Sequence, residues 1–323
     1  MNLASEIRDM DLNAFENPKQ GQEYVSALRQ CILAFKFAYI GRAAYTHDEL
    51  VRSQEYGLAD TEAGLIRARF ASTILPKLNM MGLNVVDIGA GNGTKALTVL
   101  EIIHQTISSL RYMALDYSET LLQIAIQNIL SKLPWLDTSI HRIDFEASSF
   151  RDIIHQVQEK NQFPVLALLL GQTLGNPPNR LQALLNIRQS LRVNDSILIG
   201  VELFQQDRIS EVLAHYQNES FFRAIFNSLT FAGLQRADGV LEVSFNELTR
   251  DVEVHFTLTK SIQIRANPFG DIKLEKGDRL LIGVSHRFIE PELKELLTTS
   301  GFVIQDIVLN DNRTYALILA HTF

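Results

Sequence analysis

Short apolar runs alternate with helical stretches through the middle of the chain. The apolar runs predict β-strands at 85–91, 111–118, 139–146, 165–171 and 196–204. Apolar residues spaced three and four positions apart predict helices at 94–105, 119–133 and 180–191. The run at 165–171 is apolar up to its final glycine, which is typical of a central strand covered on both faces. This alternation predicts a parallel sheet with helices on both sides.

The regions that flank this sheet have a different pattern. Helical periodicity predicts helices at 24–34 and 61–75, with Thr61 as a possible N-cap and Pro76 as a stop, and an aromatic-rich helical region at 207–231. Polar and apolar residues alternate with a period of two in three later segments, 240–245, 251–265 and 279–288. This pattern predicts half-buried antiparallel strands. A helix at 291–299 and a hairpin of strands at 302–309 and 314–322 follow. The antiparallel block at about 206–285 therefore reads as an insertion into the domain that holds the parallel sheet.

Composition and charge exclude several classes of protein. Of the 323 residues, 46% are hydrophobic and 21% are charged, so the chain can bury a core and is not a disordered tail. The net charge of −7 disfavours binding to nucleic acid. No apolar run approaches the roughly 20 residues that span a bilayer, and the N-terminus lacks an apolar signal core, so we expect a cytoplasmic protein without a membrane contact. The single cysteine and the spacing of the histidines predict no disulfide and no metal site.

The strongest local motif is a glycine-rich turn between the first predicted strand and the helix that follows it. It places Gly89, Gly91 and Gly93 in a G-x-G-x-G spacing, and Asp87 two residues before the first glycine. Ligands of such sheets bind at the carboxyl ends of the strands, where glycine lets the backbone approach them closely. A dinucleotide fingerprint has the spacing G-x-G-x-x-G. The acid at Asp87 suits the cationic methionine portion of S-adenosylmethionine (SAM) better than a pyrophosphate, and NAD binding is the alternative.

Acidic residues also end the next two predicted strands. Asp116 ends the second strand, where a carboxylate accepts hydrogen bonds from both ribose hydroxyls. Asp144 and Phe145 end the third strand, where an acid accepts from an adenine amino group and an aromatic ring packs on the base. Each site alone is compatible with an ordinary turn, but three successive strand ends in order favour a nucleoside-containing cofactor.

A set of ordered motifs resembles the histidine-specific SAM-dependent methyltransferases. These are the enzymes of ergothioneine synthesis and their relatives, which methylate the α-amine of an amino acid. The matching segments are KFAY (36–39), EY (55–56), DIGAGNGTKA (87–96), ALDYS (114–118), DFE (144–146), GQTLGN (171–176), GVEL (200–203), AHY (214–216), AIFN (224–227), VEV (252–254) and GVSHRF (283–288).

The resemblance implies an α/β fold, a class I SAM-dependent methyltransferase (Rossmann-like) core with an inserted α+β substrate lobe. The core would comprise residues 61–205 and 286–323. The substrate lobe would combine residues 1–60 with 206–285. The implied ligands are SAM as cofactor and a small, amino-acid-like substrate, and we expect a monomer.

The same resemblance implies roles for individual residues. Those that would surround SAM are Tyr56, Gly89, Lys95, Asp116, Asp144 and Phe145, and the glycine turn adds Asp87 and Gly91. Gly171 and Tyr39 would orient the substrate amine for methyl transfer. Asn176 and Tyr216 would hold the substrate carboxylate, and Ser285 would lie near the substrate side chain.

Two positions depart from the pattern of the histidine enzymes. Val254 stands where they have Met, and Gly283 stands where they have the Glu that recognises imidazole. A pocket without that hydrogen-bond partner no longer selects for the polar ring. The smaller residues also predict a larger pocket. We therefore expect an N-methyltransferase for an amino acid with a larger apolar or aromatic side chain, such as a tryptophan-like one.

Three alternatives remain open from the sequence. The chain could retain histidine as its substrate. The segment Asn176-Pro177-Pro178 is also found in enzymes that methylate amides or bases of macromolecules, although these have an aromatic residue where this chain has Asn179. The third alternative is a SAM-binding regulator without catalytic activity.

Overall fold

The chain divides into two compact units. A computed structural model describes residues 6–53, 57–78 and 81–323. One unit comprises residues 1–55 and 206–286, and we call it the two-sheet unit. The other comprises residues 56–205 and 287–323, and we call it the seven-stranded unit.

The strands of the described residues are numbered in chain order. They are β1 (Glu6–Asp9), β2 (Gly82–Ile88), β3 (Ser109–Asp116), β4 (Asp137–Arg142), β5 (Val165–Leu169), β6 (Ser196–Glu202), β7 (Gly239–Asn246), β8 (Asp251–Leu258), β9 (Ile262–Arg265), β10 (Ile272–Leu274), β11 (Arg279–His286), β12 (Phe302–Leu309) and β13 (Tyr315–Thr322).

The α-helices are numbered in the same way. They are α1 (Pro18–Arg29), α2 (Arg42–Arg52), α3 (Gly57–Arg69), α4 (Leu75–Leu78), α5 (Thr94–Ile103), α6 (Glu119–Lys132), α7 (Arg151–Asn161), α8 (Arg180–Ser190), α9 (Ile209–Tyr216), α10 (Glu219–Thr230) and α11 (Glu290–Thr299).

The seven-stranded unit is built on one mixed sheet. Its strand order is β12-β13-β6-β5-β2-β3-β4. Five neighbouring strands pair in parallel, in the order β6, β5, β2, β3 and β4. Strand β13 pairs antiparallel with both β6 and β12. The predicted parallel sheet with a closing antiparallel hairpin is therefore confirmed, and β5 is a central strand as predicted.

Apolar side chains cover both faces of this sheet. All residues of β2 and β5 are buried. One face packs on residues of α3, α5 and α6, such as Ile66, Val99 and Leu122. The other face packs on α8 and α11, with Leu184 and Leu297 among the contacts. Strands without an exposed side explain why their sequences are continuously apolar rather than alternating.

The two-sheet unit contains two three-stranded sheets. Their orders are β1-β9-β10 and β11-β8-β7. Next to them, Tyr24 of α1 is fully buried and donates a hydrogen bond from its hydroxyl to the Ser228 carbonyl, with an O···O distance of 2.6 Å. The ring of Tyr24 packs edge-on against Phe37 and at a tilt against Phe15 and Phe231. The aromatic residues in the helical part of this unit thus form part of its core.

Several predicted elements differ from the observed ones in their bounds. Helix α1 begins at Pro18, because the Asn17 side chain accepts from the Gln20 N–H and proline suits the first turn, and Cys31 follows its end at φ 55°. Helix α3 begins at Gly57, so the N-cap predicted at Thr61 is wrong. The predicted stop at Pro76 is wrong as well, since residues 70–74 form a π-helical turn and α4 continues past the proline.

Further differences concern elements that a local pattern merges or misses. The predicted helical region at 207–231 is two helices, because the Asn218 side chain caps α10 by accepting from the Phe221 N–H. The predicted strand at 251–265 is divided into β8 and β9. Helix α7 and the short strands β1 and β10 are not predicted. Within the described residues, no helix combines the length and the hydropathy needed to cross a bilayer.

Candidate active site

The glycine turn joins the carboxyl end of β2 to the first turn of α5. Gly89, Gly91 and Gly93 have φ values of 68°, 56° and 76°, a region that favours glycine over any residue with a side chain. A Cβ at Gly89 would lie 2.8 Å from Cγ2 of Thr173. Apart from Gly91 and its two chain neighbours, no described residue has a heavy atom within 4 Å of a Cβ built on Gly91. The backbone at Gly91 therefore has open space beside it, as close approach of a ligand requires.

Asp87 lies one residue before the end of β2 and is buried. Tyr112 of β3 donates a hydrogen bond to its Oδ2, with an O···O distance of 2.8 Å. Burial disfavours the charged carboxylate and raises the pKa of Asp87 to about 7, while the Tyr112 hydrogen bond and the Lys95 ammonium oppose this shift. A cationic group bound beside this carboxyl would favour its ionised form.

Asp116 ends β3 and is held by two backbone donors. The Gly91 N–H donates to its Oδ2 at 2.9 Å, and the Ser118 N–H donates to its Oδ1 at 3.0 Å. The structure therefore brings Asp116 onto the glycine turn, as the succession of strand ends predicts.

Asp144 and Phe145 lie in the loop after β4 rather than in the strand. The strand ends at Arg142, so the predicted strand at 139–146 extends too far. The Ile143 N–H donates to the Asp116 carbonyl at 2.8 Å, which ties this loop to the end of β3. Phe145 is half-buried against the apolar cluster on one face of the sheet, and the Asn186 amide donates to its carbonyl at 2.9 Å. Asp87, Asp116 and Asp144 thus lie at or just beyond the carboxyl ends of three adjacent strands, β2, β3 and β4.

Gly171 follows β5 with a φ of 72° and lies against the Lys95 side chain. A Cβ at this position would lie 2.0 Å from the Lys95 Nζ, so a side chain here would displace the ammonium group from its observed position. Lys95 belongs to the first turn of α5. The structure thus brings together a predicted cofactor residue and a predicted amine-orienting residue.

The Gly171 N–H donates to a carboxylate that the sequence analysis missed. The acceptor is Oε1 of Glu62 in α3, at 3.0 Å, and Glu62 is 0% exposed. A signal for it existed in the helical pattern. Glu62 precedes the buried residues Leu65 and Ile66 by three and four positions, so it lies on the apolar face of its helix.

Asn176 and its neighbours form the start of the next helix. Asn176 is half-buried and ends a 3₁₀ turn of residues 173–175. Asn179 caps α8, since its side chain accepts from the Gln182 N–H at 3.0 Å. A cap explains the asparagine after the two prolines without a stacking role. The remaining predicted cofactor residue, Tyr56, lies outside the described residues.

In the two-sheet unit, Tyr39 and Tyr216 belong to one group of aromatic rings, which we call the aromatic group. Its members are Phe35, Tyr39, His47, Tyr216 and Phe221. The Phe35 ring is stacked with Tyr39 at 6.4 Å between centroids and meets Phe221 edge-on at 6.4 Å. Tyr216 meets Phe221 at 4.8 Å, and His47 lies 4.5 Å from Tyr39. The two tyrosines are predicted substrate ligands, whereas the ring of Phe35, which connects Tyr39 to Phe221 and so to Tyr216, is not predicted.

The predicted side-chain pocket residues lie on two paired strands of the same unit. Val254 of β8 and Gly283 of β11 are Cα partners, and Ser285 pairs with Val252 two positions further along. Val254, Gly283 and Ser285 are all buried. These strands thus place the three residues near one another, as the resemblance implies.

The larger pocket expected at Gly283 is not present. A Cβ at Gly283 would lie 2.5 Å from Cε1 of Phe35 and 2.8 Å from Cδ1 of Ile225. The Phe35 ring therefore fills the space that a glycine leaves. The expectation is wrong for a physical reason: a residue distant in sequence packs into the vacated volume, because protein interiors stay close-packed.

Comparisons with known proteins identify the family to which the chain is similar. The model of a family described as histidine-specific, SAM-dependent methyltransferases matches residues 22–322. The chain is 24% identical over 323 residues to the 4-dimethylallyltryptophan N-methyltransferase ifgB of Penicillium roqueforti, an alignment that covers 93% of this chain and 92% of the relative. It is 24% identical over 284 residues to 4-dimethylallyltryptophan N-methyltransferase easF of Aspergillus fumigatus, covering 80% and 78%.

Among solved structures, the chain resembles the magnesium protoporphyrin IX methyltransferase of Synechocystis PCC 6803 with bound S-adenosylhomocysteine (SAH). The TM-score is 0.50 at 9% identity, and the match covers 88% of this chain and 97% of that chain. The predicted class I methyltransferase fold and SAM as the cofactor are confirmed, and so is the prediction of a SAM-dependent N-methyltransferase.

Proposed function

The chain belongs to the family of histidine-specific, SAM-dependent methyltransferases, and from this premise we propose that its acceptor is the α-amine of a free tryptophan derivative. The observation that carries the proposal is the position of Phe35. Its ring packs on Gly283, the position at which the histidine enzymes resembled by this chain have a carboxylate. An apolar ring thus stands where a partner for imidazole is expected.

The chemistry of this substitution disfavours histidine. An imidazole N–H without an acceptor loses its hydrogen bond to water, at a cost of about 1–3 kcal/mol. An indole or a prenylated indole has far more apolar surface, and aromatic pairs contribute about 0.5–1.5 kcal/mol beyond burial. Tyr39, Tyr216 and Phe221 are half-buried and present ring surface of the kind that binds such a group.

The relatives support the same class of acceptor. Both curated relatives described above are called 4-dimethylallyltryptophan N-methyltransferases, and one of them aligns with almost the whole chain. We infer an acceptor of that chemical class: an amino acid with a free α-amine and a large, flat, apolar side chain.

The residues at the carboxyl edge of the seven-stranded sheet fit SAM. The open backbone at Gly91, the buried carboxyl of Asp87 and the backbone-held carboxylate of Asp116 match a ligand with a cationic portion and a ribose. SAM supplies an electrophilic methyl carbon on a sulfonium sulfur. Asp144 and Phe145 are the proposed contacts of the adenine, and Lys95 completes the proposed set.

The remaining task of the protein is to orient a neutral amine. The α-amino group of a peptide has a pKa of about 8, so a modest lowering of this pKa provides the neutral amine. Asn176 and Tyr216 are the proposed ligands of the acceptor carboxylate, and Gly171 and Tyr39 of its amine. Alignment of this kind contributes through proximity and needs no dedicated base. The proton that the methylated amine loses passes to solvent, directly or through the Tyr39 hydroxyl, which gives up its own proton to water as it takes the new one.

A comparison of turnover among amino acids tests the proposal. We expect kcat/KM to be highest for 4-dimethylallyltryptophan, lower for tryptophan, and at least tenfold lower again for histidine, with products heavier by one or more methyl groups. A preference for histidine would contradict the proposed acceptor. Tight SAH binding without methylation of any amino acid would indicate a regulator.

A further inference from the structure

Glu62 is a buried carboxylate at the carboxyl edge of the seven-stranded sheet. Its Oε1 accepts from the Gly171 N–H at 3.0 Å and from the Tyr315 hydroxyl at 2.6 Å. The two donors belong to the loop after β5 and to β13, whereas Glu62 belongs to α3. One carboxyl oxygen therefore connects a helix, a strand and the loop that holds Gly171.

The sheet leaves a specific space for this carboxylate. A Cβ on Gly200 of β6 would lie 2.0 Å from Oε1 of Glu62 and 2.6 Å from the Tyr315 hydroxyl oxygen. Any larger residue at Gly200 would displace the carboxylate or the tyrosine. The observed position of the Glu62 carboxylate thus depends on the glycine in β6 and not on the packing of α3 alone.

The second oxygen of Glu62 has no hydrogen-bond partner among the described residues, although it is shielded from solvent. Burial raises the pKa of this carboxyl, and the positive charge of Lys95 is the main factor that lowers it. Lys95 also lies against Gly171, as described above. An unsatisfied buried carboxyl oxygen is costly, so its presence beside a lysine of the proposed cofactor site points to a role other than stability.

We propose that Glu62 is a positioning residue of the methyl-transfer site: it fixes the Gly171 peptide and supplies the negative charge that balances Lys95. The proposal rests on the proposed function in one respect, namely that Gly171 orients the acceptor amine. Oε2 of Glu62 is shielded, so Glu62 acts through Gly171 and Lys95 rather than by contact with a ligand.

Another buried carboxylate of the same unit, away from the glycine turn, provides a matched control. Asp195 is 2% exposed and precedes β6, at the amino edge of the sheet. It accepts from the N–H groups of Val165 and Arg192, each at 2.8 Å, and from the Gln158 amide at 2.9 Å. Its bonds hold strands together at the edge opposite the glycine turn. Asp195→Asn is therefore expected to affect stability alone.

The test compares Glu62→Gln with Asp195→Asn in the full-length chain. The Gln side chain keeps the size of Glu62 and an acceptor oxygen but removes the charge. Measurements are the dissociation constants of SAM and SAH by calorimetry, kcat and KM for the best acceptor, and Tm. SAM differs from SAH by one methyl group and by the positive charge that this group gives the sulfur. A change in the ratio of their dissociation constants on removal of a distant, shielded charge therefore reports electrostatic balance, which a purely structural role would not change.

For Glu62→Gln we expect SAM binding to weaken at least fivefold more than SAH binding, and kcat to fall at least tenfold with acceptor KM changed less than threefold. For Asp195→Asn we expect a lower Tm, with the SAM-to-SAH ratio and kcat within twofold of the wild-type chain. Equal weakening of SAM and SAH by Glu62→Gln, with kcat unchanged, would overturn the proposal.

Two further outcomes are distinguishable. If the wild-type chain methylates no amino acid, the proposed function fails, but the SAM-to-SAH ratio still tests the charge balance. If Glu62→Gln does not fold, Tyr315→Phe replaces it, because that variant removes one donor to Glu62 and keeps the carboxylate. We expect Tyr315→Phe to lower kcat about threefold, and an unchanged kcat would overturn the proposal.

Discussion

The two units differ in what forms their candidate binding residues. In the seven-stranded unit, the backbone forms most of the candidate site: glycines at positive φ make a turn, and the Gly91 N–H donates to the carboxylate of Asp116. In the two-sheet unit, side chains alone define the aromatic group, and Phe35 fills the volume over Gly283. Backbone geometry fixes a site for one constant ligand. Side-chain packing suits a site whose ligand differs among relatives, because a single substitution changes the shape of the site.

This comparison predicts that a buried acid in the seven-stranded unit reduces stability in favour of ligand binding. The pKa of Asp87 is raised from 3.8 to about 7, so the folded chain retains a proton between these values that the unfolded chain has lost. Stability therefore falls as pH rises through this window. We expect Asp87→Asn, which cannot ionise, to be more stable than the wild-type chain at pH 8 by up to about 4 kcal/mol, at about 1.4 kcal/mol for each pKa unit.

The difference between the two chains should vanish near pH 4, and urea unfolding at a series of pH values measures it. The same substitution should weaken SAM binding, since it removes the carboxyl proposed for the cationic portion of the cofactor. A stability difference that does not depend on pH would show that Asp87 is not the titrating group.

The next largest effect concerns the carboxylate that the glycine turn holds. Asp116→Ala removes the acceptor of two backbone N–H groups, each bond to a charged group contributing about 1.5–3 kcal/mol. We expect SAH binding to weaken at least ~100-fold, as measured by calorimetry. The control is Asp137→Ala at the amino end of β4, whose exposed side chain pairs with Arg111 and should leave SAH affinity within twofold.

The smallest effect separates the aromatic group from ordinary core packing. We expect Phe35→Leu to lower kcat/KM for a tryptophan derivative about tenfold, or about 1.4 kcal/mol, and to leave the value for histidine unchanged. Phe226→Leu is the control, since Phe226 is equally buried at 6% exposure and packs edge-on against Phe256 in the same unit. If both variants lose the same activity in proportion to their loss of stability, Phe35 has no role in selecting the acceptor.

The same contrast explains which parts of the molecule could be predicted from the sequence. The glycine turn and Asp116 are predictable because local spacing determines them: a strand, a turn at positive φ and a carboxylate at the next strand end. The prediction is less accurate for Asp144, which lies in a loop and not in a strand, since the end of a strand depends on pairing with its neighbour. Short strands such as β1 and β10 carry too few residues for a periodic pattern.

Long-range packing accounts for what the sequence could not predict. Phe35 and Gly283 lie far apart in the chain, so nothing local indicates that the ring fills the space at the glycine. Glu62 had a visible sign, a carboxylate on an apolar helix face, but its partners Gly171 and Tyr315 come from two other elements. A carboxylate on the apolar face of a predicted helix thus indicates a buried acid with partners from other elements.

The most direct test of the account is a competition for one methyl donor. The full-length chain is given equimolar 4-dimethylallyltryptophan and histidine with a limiting amount of SAM labelled with ¹³C in its methyl group, and the products are resolved by mass spectrometry. We predict that the label appears on the α-nitrogen of the tryptophan derivative in at least ~90% of the product, as a tenfold preference requires. Label mainly on histidine would contradict the account.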